Sequence, residues 1–161
     1  MKRLPLLPVA LIAVAILCPA PAAAQTETFV TGAGAGVFPP GAVYLGLPLS
    51  TLSLGQGLGV GGASWAEGQF QVTLTGTNIL GLEQNIVVEG KATASIPAVP
   101  GTANFSGMST VDPGDGTPPL PAVPFIAVVV ANPDGTGTLT LSLGNTNLPA
   151  ADINEGNLRV Q

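Results

Sequence analysis

Residues 123–143 read VPFIAVVVANPDGTGTLTLSL. An aliphatic run, Val123–Ala131, is followed by Asn132-Pro133-Asp134-Gly135 and then by strict alternation from Thr138 to Leu143. A turn signal between an apolar run and a period-2 run marks a β-hairpin. Two registers are available, and a slip of one residue sends every side chain to the other face. A two-residue turn at Asp134-Gly135 would set Leu139, Leu141 and Leu143 beside Val130, Val128 and Ile126. A three-residue loop, with Pro133 second in a type I turn and Gly135 in the left-handed bulge position, sets them beside Val129, Ala127 and Phe125. Proline presets φ near about −65° and glycine accepts positive φ, so the three-residue loop is the expected one. Ile126, Val128 and Val130 then form the opposite face with Thr138, Thr140 and Ser142. That face is too apolar to be left bare unless a loop, another strand or a partner covers it.

Working outward, strand signals recur with turn signals between them. Thr26–Thr31, Leu49–Leu54, Ser64–Thr75, Asn85–Ile96 and Thr102–Val111 read as strands, with short ones at Ala42–Leu47, Gly144–Pro149 and Asn157–Val160. Gly32–Gly36 reads as a loop and Gly55–Gly62 as a glycine-rich connection. Asp112–Pro124, with five prolines in thirteen residues, is expected to be an extended crossover between sheets, since proline is excluded from central strands. Glycine or proline interrupts every window long enough to propagate a helix. The expected fold is all-β: an antiparallel β-sandwich, Ig-like or jelly-roll-like, with roughly seven to nine strands.

The chain has 161 residues, no histidine, one cysteine, 22 glycines and 16 prolines. Its opening, MKR followed by LPLLPVALIAVAILC and PAPAAA, has the basic, apolar and small-residue parts of a secretory signal peptide. Residues 1–24 are expected to be that signal, cleaved after Ala24, and residues 25–161 a single domain that is secreted or periplasmic. Prolines at 5, 8, 19 and 21 argue against a membrane-spanning anchor. Cleavage would remove Cys18, Lys2 and Arg3. The remainder would hold neither thiol nor disulfide, and its basic residues would be Lys91 and Arg159 against nine acids, a net charge of −7. Nucleic acid is a poor partner for such a chain, because phosphate neutralisation needs a basic surface.

The same inventory rejects much chemistry. Without histidine there is no Ser-His-Asp or Cys-His nucleophile and no histidine metal ligand. Asp112, Asp115 and Asp134 are the carboxylates that invite a calcium or acid-pair reading, yet each sits in a Gly/Pro turn, where aspartate serves the backbone. Gly57–Gly62 fits GxGxxG in form but precedes a strand, whereas dinucleotide binding needs a helix there. Trp65 is expected in the core; Trp65 and Tyr44 could alternatively stack on a sugar. No catalytic, cofactor or metal residues are assigned. The expected function is an exported structural or interaction module without catalysis. The alternatives are a glycan-binding module using Trp65 and Tyr44, or a calcium-stabilised domain. No specific partner is assigned; the expectation is a protein or a glycan, with no nucleic acid and no membrane span after signal cleavage.

Overall fold

A computed structural model describes residues 27–61, 64–96 and 99–161. The expected signal peptide lies outside these residues. The described chain is all-β and antiparallel: β1 (Glu27–Val37), β2 (Val43–Tyr44), β3 (Leu47–Gly61), β4 (Trp65–Thr77), β5 (Glu83–Ile96), β6 (Thr102–Asp112), β7 (Leu120–Ala131), β8 (Gly137–Leu143), β9 (Thr146–Asn147), β10 (Ala151–Gly156) and β11 (Arg159–Val160).

These strands form one sheet, and the sheet returns on itself. β3 through β8 pair each with the next, β8 pairs with β10, and β10 pairs with β1. β1 in turn pairs with β3 from Glu27↔Gly61 to Val37↔Thr51. Eight strands therefore close a ring: β1, β3, β4, β5, β6, β7, β8, β10. The all-β, antiparallel class expected from the sequence is observed; the strands belong to one continuous hydrogen-bonded sheet, and this ladder assigns neither an Ig-like nor a jelly-roll-like type. The ring closes at β1, whose two edges are both occupied. Closure leaves the ring without a free edge for another chain to extend.

The central hairpin adopts the expected register. Phe125 pairs with Leu143, Ala127 with Leu141 and Val129 with Leu139. Gly135 N donates to Asn132 O (3.0 Å), Asn132 N donates to Thr136 O (2.8 Å), and Gly135 has φ +91°. These bonds define a three-residue loop of Pro133, Asp134 and Gly135.

Three expected connections are strand or hairpin instead. Gly32–Gly36 belongs to β1, where Gly34 and Gly36 face inward. A Cβ at Gly34 would lie 2.7 Å from Ile153 Cγ2, so glycine there admits the isoleucine of β10 and allows the ring to close. Gly55–Gly61 is the second half of β3: its glycines face outward while Leu54, Leu58 and Val60 are buried. The alternation is period 2, with glycine standing at the solvent positions. Asp112–Pro124 is not a crossover. It joins β6 to β7 as an antiparallel pair, in which Met108 faces Pro124 and Val111 faces Leu120.

The ring interior is filled. Phe70 stacks on Phe125 with centroids 5.3 Å apart, and Phe105 meets both edge-on at 5.5 and 6.2 Å. Leu74, Ile86, Leu139, Leu141, Leu143, Ile153 and Leu158 are among the large side chains fully buried with them.

Candidate functional site

A trough crosses the outside of β4, β5, β6 and the start of β7, with a volume of about 710 Å³. Its shape follows from what lies beneath. Gly90 and Gly107 face inward over the Phe125 ring, and a Cβ at Gly90 would lie 2.7 Å from Phe125 Cε1. The strands dip onto the phenylalanines there, and the outer surface becomes concave. Irregular pairing flanks the dip, at Ala92/Ala94 on β5 and at Ser109/Val111 against β7. Ala122, on the β7 side, has φ +55°, a conformation that costs a residue with a Cβ and recurs at binding sites.

The trough walls are polar. Outward positions of β4 supply Glu67, Gln69 and Gln71; β5 supplies Glu89 and Lys91; β6 supplies Met108 and Thr110. Gln71 Nε2 donates to Glu89 Oε1 across the β4–β5 ladder at 3.3 Å. Below them, buried Ser109 donates from Oγ to Val123 O at 2.9 Å and anchors the irregular start of β7. Lys91 is exposed, as its place on the solvent side of a strand predicts.

Trp65 is not core. It is 44 % exposed, with its indole laid across Gly59 and Gly61 of the neighbouring strand and Phe29 close by. Trp65 opens β4 in the outward register, so the ring finds apolar contact by covering bare glycine backbone. Ser95 Oγ, 2.6 Å from Trp65 O and 3.0 Å from Gly61 O, ties this end of the β3–β4 pair to β5. The indole extends over β3, away from the trough. Tyr44 is 4 % exposed, and burial pushes its phenol pKa up. It is closed to stacking, which leaves Trp65 as the exposed ring of the two.

On β7, the outward stripe is uncovered: Ile126 is 50 % exposed and Val130 37 %. Thr140 and Ser142 of β8 and Asn104 and Ser106 of β6 flank it in register.

The three aspartates serve their own turns. Asp112 Oδ1 accepts from Gly114 N (2.9 Å), and Asp115 Oδ1 from Thr117 N (2.9 Å) and Thr117 Oγ1. Asp134 Oδ1 accepts from Thr136 N (3.0 Å) and Thr136 Oγ1 (2.6 Å). These bonds, the threonine hydroxyl first, hold the Asp115 and Asp134 carboxyls below the ordinary aspartate range. Among the described residues, no group of three or more acids, histidines or cysteines is placed to hold a metal ion, and no helix is long and apolar enough to cross a membrane. Comparison with protein-family models, curated proteins and solved structures finds no match.

The sequence reading missed the trough residues. Glu67, Gln69 and Gln71 alternate visibly with Phe70, Val72 and Leu74, so their outward direction is legible. Their assembly with Glu89, Lys91 and Thr110 is not, because it depends on cross-strand register and on the dip over Phe125.

Proposed function

We propose that the protein is an exported, non-catalytic interaction module of the cell envelope or extracellular space, which recognises its partner with the outside of the closed sheet. The observation that carries this reading is the uncovered stripe of β7. Ile126 and Val130 are aliphatic, half to a third exposed, and sit on a rigid, fully paired strand. Hydrophobic side chains on a regular strand need no exposure to satisfy the fold, and a contiguous apolar stripe rimmed by hydroxyl and amide side chains is the usual form of a contact surface. The filled interior supports the same conclusion, since it leaves the outside for binding.

The test is co-sedimentation of the purified protein with envelopes of the producing cells. The unaltered protein is expected to sediment with them, and Ile126→Thr/Val130→Thr to remain in the supernatant with its melting temperature little changed. Equal partitioning of the two proteins, or no sedimentation of either, would count against the reading.

A further inference from the structure

We infer that the trough over β4–β7 is a binding site for a neutral oligosaccharide, held by Gln69, Gln71, Glu89, Lys91 and Thr110. The inference rests on the reading of the chain as a binding module and assigns it a second, separate surface.

Shape comes first. The trough is about 710 Å³, of ligand-site size, but it lies open along the outer face of the sheet. An open channel accommodates a chain that runs past both ends better than a small molecule that must be enclosed.

The chemistry of the walls narrows the class. The two glutamine amides donate and accept, Glu89 accepts, the Lys91 ammonium donates, and the Thr110 hydroxyl does both. This mixture matches a ligand whose every hydroxyl is itself donor and acceptor. Met108 and Ala122 add apolar surface for the C–H faces of sugar rings.

Charge excludes the anionic branch. Glu67 and Glu89 stand against Lys91 alone in the trough, and the chain as a whole carries −5. Phosphorylated, sulfated or uronic ligands would meet a repulsive field. Backbone pairing excludes the extended-peptide branch. Along the trough β4, β5 and β6 each have a partner on both edges, as does β7 from Phe125 onward, so most of their main-chain groups are spent on the ladder. A peptide would find only the short start of β7 to pair with, whereas a sugar needs only side chains.

The experiment is isothermal titration calorimetry of the purified protein with cello-, laminari-, xylo- and chitohexaose, and with a sulfated heparin hexasaccharide. At least one neutral hexaose is expected to bind, and the sulfated one is not. Gln71→Ala/Glu89→Ala, a change of two exposed side chains, is expected to weaken binding about tenfold or more while leaving the melting temperature in place. The Trp65 emission serves as a second readout: unchanged emission during a titration that the double variant abolishes assigns binding to the trough rather than to the indole. The proposal is overturned if no neutral hexaose binds at up to about 10 mM, if the sulfated sugar binds best, or if binding survives the double variant. Envelope sedimentation through Ile126 and Val130 is unaffected by that variant, so loss of the sugar site and loss of the β7 contact are read separately.

Discussion

Asp134 shows how much of one side chain's behaviour a turn can dictate. Its carboxylate accepts from the amide and hydroxyl of Thr136, and both bonds favour the ionised form. The folded pKa is therefore below the unfolded one of about 3.9. A depressed carboxyl stabilises the fold above its unfolded pKa, and the contribution is lost as pH falls through the folded value. Asp134→Ala should accordingly melt below the unaltered protein at neutral pH, with the gap closing in strong acid. Thermal melts at about pH 7 and pH 2 would show it. Gln56 makes the opposite case. It stands between Leu54 and Leu58 on the inward side of β3, and both ends of its amide are buried without a hydrogen-bond partner among the described residues. An unsatisfied buried polar group costs about 1–3 kcal/mol. Gln56→Leu should raise stability by a similar amount, measurable by urea unfolding. Nothing in the structure explains why the position is not already apolar.

The hairpin of β7 and β8 was readable because two independent signals agreed. Pro133 and Gly135 specify the loop, and the leucine alternation specifies the buried face. Gly135→Ala should cost about 1–2 kcal/mol, because φ +91° burdens any residue with a Cβ. Phe125→Ala should cost about 3–5 kcal/mol, since it empties the stack between Phe70 and Phe105. Equilibrium denaturation would rank the two. The glycine-rich strands were misread for a physical reason. In β3 glycine occupies the solvent positions, and in β1 it occupies inward ones, so composition signalled loop where periodicity carried strand. In Leu52-Ser53-Leu54-Gly55-Gln56-Gly57-Leu58-Gly59-Val60 the alternation is present, but glycine lowers strand preference and masked it. The proline-rich segment misled differently. Prolines 118, 119 and 121 fall at the β6–β7 connection and the irregular start of β7, where proline is tolerated. The direction of each trough residue could be inferred from sequence. Their meeting could not, because the dip over Phe125 is a property of the packed core.

Closure of the ring is uneven. β3 and β4 are paired along most of their length, as are β4 and β5. β10 is held by Ala151–Ile153 against β8 and by Asp152–Gly156, with a shift in register, against β1. Stability within a fold follows local pairing and burial. Amide hydrogen exchange should therefore be fastest, among strands of the ring, in β10, and slowest in β4 and β5. Protection of β10 equal to that of β4 would contradict this ordering. The fold class was legible from the recurrence of strands and turns. The joining of β1 to β10 was not, because it pairs segments more than a hundred residues apart, as in Gly34↔Gly156, with no local signal linking them.

In the ring β7 carries the aliphatic stripe, and the trough spans the arc from β4 to the start of β7. The aliphatic stripe on β7 and the middle of the trough on β5 and β6 stand one to two strands apart around the same sheet. On the two contacts proposed above, a domain arranged in this way would have a valency of two without a second copy or a linker. Whatever the β7 stripe grips is kept at a fixed offset from whatever the trough grips, and binding at one raises the local concentration of the other's ligand. With both proposed contacts made, such geometry would make the protein a tether between two ligands.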